Sequence, residues 1–332
     1  MQRLALVPVL LARAGVPLVA SWLAACDPVG SPERPGPEFG RVANVTIQDL
    51  GTLGGDFSQA VAVNVRGQVA GFSAVTAGSA GCGGGAPVCH AFVWAQGRLR
   101  DLGTLGGSFS QAIAINDAGQ VAGNSTTPTG HSCPHGGVVD PGCHAFLWDG
   151  RTMRDLGTLG GDFSEATAIT ATGRVAGFSI TASGALHGFF WDGAMHDLGT
   201  LGGPTSIAYA VDAAGRVTGA STTPSGPFCG VPVAGCHAFS WERGTIRDLG
   251  TLGGTHSTAL AINPAGLITG TSTLASGQAH GFLWDGAMHD LGTLGGSFSS
   301  ALALNQRGQV VGWSEIGDLF ESVHATVWTV NP

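Results

Sequence analysis

Four short segments decide the fold: Ala166-Thr167-Ala168-Ile169, Arg174-Val175-Ala176-Gly177-Phe178-Ser179, His187-Gly188-Phe189-Phe190-Trp191 and Ala194-Met195-His196-Asp197-Leu198-Gly199. Each is a run of small, β-branched or aromatic residues of strand length. Gly173 separates the first two, and Asp192-Gly193, a two-residue hairpin signal, separates the last two. The segment therefore predicts four antiparallel strands. The same unit recurs. The heptapeptide Asp-Leu-Gly-Thr-Leu-Gly-Gly starts at Asp49, Asp101, Asp155, Asp197, Asp248 and Asp290, at spacings of 52, 54, 42, 51 and 42 residues. The basic unit is 42 residues, and three copies carry insertions of about ten. Four antiparallel strands per 40-odd residues is the pattern of a β-propeller blade. Parallel β-helix coils are shorter, and membrane-barrel strands are longer, about 9–11 residues.

The chain ends predict how the ring is completed. It enters with Val45-Thr46-Ile47-Gln48-Asp49-Leu50, a fourth strand without its first three. It leaves with His324-Ala325-Thr326-Val327-Trp328, a third strand without its fourth. The expectation is an all-β, six-bladed propeller over 45–330, closed by the N-terminal strand and free of an open edge.

Composition agrees with an exported β domain. Of 332 residues 56 are Gly, and only 11% are charged. The 14 basic residues are all Arg, and the net charge of −8 argues against nucleic-acid binding. A hydrophobic share of 43% is too high for a disordered chain. Residues 1–25 read as an export signal, with Arg3 and Arg13 preceding an apolar run that is too short to span a bilayer. Its end, Leu23-Ala24-Ala25-Cys26, resembles the lipobox of bacterial lipoproteins. That resemblance implies acylation of Cys26 and anchoring to a lipid bilayer in the cell envelope, facing the periplasm or the cell surface. Loss of Arg3 and Arg13 leaves 12 Arg against 22 acids, a net charge of −10. Residues 26–44 then form a lipidated Cys and a Pro/Gly-rich tether, with four Pro and three Gly between 27 and 40.

The repeated His-Ala-Phe-x-Trp, Asp-Leu-Gly-Thr-Leu-Gly-Gly and Ala-Ile-Asn-x-x-Gly-x-Val patterns resemble the HAF family of extracellular repeat proteins. The copies include His90-Ala91-Phe92-Val93-Trp94, His144-Ala145-Phe146-Leu147-Trp148 and His237-Ala238-Phe239-Ser240-Trp241. Gly188 and Gly281 replace Ala in units three and five, and Thr326 replaces Phe in unit six. The resemblance covers about 45–330. It implies a secreted or surface repeat protein and supplies no catalytic residue to transfer.

Six copies argue for structure over chemistry. His90, His144, His187, His237, His280 and His324 recur once per unit, as do Asp49 and Ser58 with their equivalents. These are expected to form buried hydrogen-bonded networks. The repeated Trp94, Trp148, Trp191, Trp241, Trp284 and Trp328 are expected to fill the space between blades. The Gly-Gly pairs are followed by no helix and no Lys, which removes a phosphate-loop reading.

Cysteine placement is informative. Beyond Cys26, six Cys form three local pairs: Cys82 with Cys89, Cys133 with Cys143, and Cys229 with Cys236. Each pair lies in one of the three insertions, and its second member directly precedes the repeat His. Disulfides are expected. Metal binding by these Cys, with His131 and His135 in the second loop, matches no standard zinc spacing. No cofactor or metal is expected.

Binding is expected on the face that carries the Cys loops and the Thr-Leu-Gly-Gly connections. Symmetry breaks mark candidate ligand-facing residues. Thr205 and His256 replace the Phe found at Phe57, Phe109, Phe163 and Phe298. Trp313 replaces a smaller residue, and Glu165 is a lone acid beside an inter-blade turn. The loop Glu315-Ile316-Gly317-Asp318-Leu319-Phe320-Glu321 carries three acids and is expected to be solvated, with calcium as a rival reading. The functional expectation is a lipid-anchored binding or scaffold module with a polysaccharide or protein partner. The alternatives are a structural or adhesive surface protein, and a glycan hydrolase or lyase.

Overall fold

The computed structural model describes residues 46–78, 82, 88–130, 133, 141–224, 226, 229, 235–317 and 322–329. The export signal, Cys26, the tether, His131, His135, Asp318 and Glu321 lie outside these residues. The described chain is all β, with 23 strands in chain order. Five units have four strands each and the sixth has three, Ser299–Leu304, Gln309–Glu315 and Val323–Thr329. Unit three runs Gly160–Ile169, Val175–Thr181, Leu186–Trp191 and Met195–Asp197, each strand antiparallel to the next.

Neighbouring units touch through one parallel step. Cys143 bridges Phe163, and Cys236 bridges His256, which merges units two and three, and units four and five, into eight-stranded sheets. Isolated bridges Cys89–Phe109 and Ala279–Phe298 repeat the same contact at two further junctions. The described sheets are thus one of four strands, two of eight and one of three, which differs from the expected six separate four-stranded blades.

The interior of each unit follows from three residues in register. The first strand carries a bulge, seen between Ala60 and Ala62 in unit one and between Ala208 and Ala210 in unit four. The bulge pushes the backbone toward a Gly on the second strand, such as Gly177, which pairs with Ala166. The third-strand Phe then covers that Gly. Phe92, Phe146, Phe189, Phe239 and Phe282 are all fully buried. A Cβ on Gly177 would run into the Glu165 carbonyl and the Phe189 ring. Thr326 takes the Phe position opposite Gly312 in unit six.

Turns between the first and second strands also join units. Asn64 Oδ1 accepts from the N–H groups of Arg66 and Gln68, while its Nδ2 donates to Asn116 O of the next unit at 2.9 Å. Asn116 and Asn263 repeat this bond to Thr170 O and Asn305 O. Asp212 cannot donate. Instead it holds Arg216, whose Nη2 reaches Pro264 O at 2.8 Å.

The expected ring closure is absent, which corrects that prediction. Residues 46–50 form no strand, and 46–49 are exposed. The outer edge of Val323–Thr329 pairs with no described strand, and no extensive packing joins unit one to unit six. Each first strand packs on the second and third strands of the unit before it at five junctions, and among the described residues no sixth such packing sets Ser58–Val63 against unit six, so nothing holds 46–50 beside Val323–Thr329.

Gly177→Ala is expected to destabilise the fold by about 2–3 kcal/mol through overpacking. At Gly188 an added Cβ meets Ala208 N and a Leu198 methyl only at 3.2 Å. Gly188→Ala is therefore expected to change stability by less than about 1 kcal/mol. Chemical unfolding of both variants checks the pair.

Candidate functional site

The repeat polar residues separate into two devices. In five units the His Nδ1–H donates to the fourth-strand Asp. The Nδ1–carboxylate distances are 2.8 Å in His90–Asp101, 2.9 Å in His144–Asp155, 2.9 Å in His187–Asp197, 2.8 Å in His237–Asp248 and 2.8 Å in His280–Asp290. The same Asp caps its own turn: Asp101 Oδ1 accepts the Gly103 N–H at 2.7 Å, and Asp155 does so from Gly157. The Asp side chains are about two-fifths exposed, so the expected buried network is corrected to a half-exposed pair.

The Ser is buried and does something else. Ser110 Oγ accepts the Ala91 N–H of the preceding unit at 2.8 Å and donates to Gly103 O. Ser164, Ser206, Ser257 and Ser299 make the same two bonds. These hydroxyls are spent on backbone groups, so the repeat His, Asp and Ser form no nucleophile–base–carboxylate chain here.

Burial opposes ionisation of Asp101, but the His90 hydrogen bond and the Gly103 N–H outweigh it and hold the carboxyl below its usual range. Asp155 is held low in the same way by His144 and Gly157.

The three Cys pairs form disulfides, with Cα separations of 5.8 Å for Cys82–Cys89, 5.2 Å for Cys133–Cys143 and 5.5 Å for Cys229–Cys236. Three disulfides fit an oxidising compartment. Among the described residues, no group of three or more His, Cys, Asp or Glu could hold a metal ion.

The four candidate ligand-facing residues do not converge. Each sits in a different unit. Thr205 is buried, with its N–H bonded to Thr222 Oγ1, because its position is the slot that Phe109 and Phe163 fill elsewhere. His256 is half-buried at the junction of units four and five, where its Nε2 lies 3.1 Å from the Thr258 hydroxyl. Trp313 is half-buried between Ser300 and Ala325, and Glu165 is half-buried in a strand opposite Phe178. Glu315 is 2% exposed, so the expected solvated loop begins with a buried acid that accepts the Ser297 N–H.

Sequence reasoning missed two clefts on the hairpin-turn side of the junctions. The first, about 710 Å³, lies between units three and four and is lined by Phe190, Asp192, His196, Trp241, Glu242 and Arg243. The second, about 420 Å³, lies between units four and five and is lined by Arg216, Trp241, Arg243, Arg247, Ile262 and Trp284. The turn after strand Cys236–Glu242 is their shared wall. Arg243 stands at its tip with φ 48° and a side chain 91% exposed. Its guanidinium lies 3.8 Å from the exposed Glu242 carboxylate, whereas Arg216 pairs with buried Asp212 and Arg247 lies 5.0 Å over the Trp284 ring; Arg174 also lines the first cleft. Arg100 over Trp148 and Arg154 over Trp191 repeat that stacking across junctions, so the repeat Trp do fill inter-unit space. A usable signal was available in the sequence: Glu242-Arg243-Gly244 puts a long cation where a tight hairpin favours Asn or Gly.

No family model matches the chain, and no curated protein matches it. Among solved structures, the β-propeller domain of the Trilobed protease from Pyrococcus furiosus, with an open velcro topology, is 12% identical at a TM-score of 0.38, covering 61% of this chain and 58% of that one. Acylaminoacyl peptidase from Pyrococcus horikoshii is 12% identical at 0.46, covering 79% and 41%. A triple-arginine mutant of AofleA from Arthrobotrys oligospora is 13% identical at 0.34, covering 82% and 88%. The chain thus spans under two thirds of the first two. All three scores fall below 0.5, and the fold and site stand on the geometry above.

The His–Asp pairs give a graded expectation. His144→Ala should cost about 0.5 kcal/mol, the scale of a half-exposed pair. Asp155→Ala should cost about 1 kcal/mol, because the Gly157 N–H loses its acceptor as well. Asp101 and Asp155 lie below their ordinary 3.8 when folded, so their contribution is complete above the unfolded value and is lost as pH falls through the folded one. Denaturant midpoints of both variants between about pH 2 and pH 6 check size and sign.

Proposed function

We propose that the chain is an exported, lipid-anchored binding or scaffold module of the cell envelope, its six units acting as propeller-type blades in an open array and its ligand seated in the junction clefts. The resemblance to HAF repeats and the lipobox-like Leu23-Ala24-Ala25-Cys26 support the address. The observation that carries the binding reading is the pair of adjacent clefts sharing Trp241, Glu242 and Arg243. Aromatic edges beside Arg243, whose exposed guanidinium lies 3.8 Å from the Glu242 carboxylate, suit a saccharide bearing carboxylates: the ring packs on the apolar floor, and the ligand anion takes the place of Glu242 at Arg243. A structural or adhesive role is the second reading, favoured by the uncovered faces at the two ends of the array.

Arg243 holds a left-handed backbone that a long side chain disfavours, so Arg243→Asn should relax the turn and raise stability by about 0.5 kcal/mol. The same change should weaken binding of an acidic oligosaccharide at least about tenfold, the loss of one charge-assisted contact. Calorimetric titration with acidic and neutral oligosaccharides, beside thermal unfolding, tests both. Equal affinity for protein and variant, or no saccharide binding at all, would contradict the reading.

A further inference from the structure

We propose that the chain associates head to tail, with residues 46–50 of one copy adding as a fourth strand on the outer edge of Val323–Thr329 of a second copy. The inference stands apart from the cleft reading. It starts from one mismatch. Five units pair a third-strand His with a fourth-strand Asp. Among the described residues, His324, the sixth His, is exposed and faces no fourth strand, and Asp49, the first Asp, lies in a segment with no third strand beside it.

Asp49 is already in the conformation its equivalents use. Its Oδ1 accepts the Gly51 N–H at 2.9 Å, as Asp101 does with Gly103. Leu53 N–H donates to Ser73 Oγ, and Ser58 Oγ donates to Gly51 O, as at every interior junction. The segment is thus anchored on its own unit one and presents its other edge outward. Three further groups match across the proposed contact. Leu102 N–H donates to Ala91 O inside the array, and Leu50 would donate to Ala325 O. Ala91 N–H donates to Ser110 Oγ, and Ala325 would donate to Ser58 Oγ. Asn64 Nδ2 donates across to Asn116 O, and Asn305 would donate to Asn64 O.

The apolar surface agrees. All nine exposed large aliphatic residues among the described ones lie in unit one, in unit six or in the segments leading into them. Val63 is 65% exposed, whereas its equivalent Ile115 is half-buried against unit one. Val311 and Val327 are exposed on the opposite end. A second copy fits this face because it carries the matching surface and docks without altering any of the five interior junctions. Unlike faces meet in such a contact, so it propagates.

The test mixes two single variants, Gln48→Cys and Val327→Cys, which the register of Val93 with Arg100 places opposite each other. Mild oxidation should yield a cross-linked dimer from the mixture and little from either variant alone. Light scattering on the unmodified protein should show mass rising with concentration, with His324→Ala shifting the midpoint about threefold. A monomer at every concentration with no cross-link in the mixture would overturn the proposal. So would a doubly substituted chain whose disulfide forms only within itself.

Discussion

The fold depends on one buried hydroxyl per junction. At each of the five junctions the third-strand N–H after the repeat His points to the next unit, and the repeat serine of that unit's first strand accepts it. An unpaired N–H at these depths would cost about 1–3 kcal/mol. The hydroxyl also donates back to the Gly of the connection it has just left. One side chain therefore fixes both the bend of the connection and the seating of the next unit. Parallel bridges accompany this contact at four of the five junctions, stacked Arg and Trp at three, and Asn bonds between turns at three.

The departures from the repeat show how the constraint is kept when a residue changes. Unit four has Asp212 where Asn would donate across the junction, and Arg216 supplies the donor, held by that same Asp. Unit three has Thr170, which still caps its turn through the Arg174 N–H but has no amide to extend. Its junction with unit four rests instead on the serine link and on Thr167 Oγ1, which donates to Ala208 O. Stability in such an array is a sum of units and neighbour contacts, so losses at one junction are local.

Much of this was legible in the sequence. The heptapeptide spacing, the Asp-Gly hairpins and the paired placement of the Cys in insertions led directly to the units and the disulfides. Three things were not legible. Strand one of unit three begins at Gly160, six residues earlier than its apolar run, because the Gly-Gly connection pairs with Thr181 of its own second strand. Thr205 read as a ligand group because it is polar, yet its position inherits the burial of the Phe slot. The clefts draw on residues from two units at a time, and no local pattern announces which side chains meet there. The two half-units at the chain ends were plain as complements, but a pattern of strands does not say whether the complement belongs to the same chain.

The most direct test of the junction account is calorimetric unfolding of the disulfide-intact protein beside its Ser164→Ala variant. The account predicts one cooperative transition for the protein. It predicts for the variant a separate, earlier melting of the units on one side of that junction. A variant that melts in one transition at the unchanged temperature would contradict the claim that the serine couples the units.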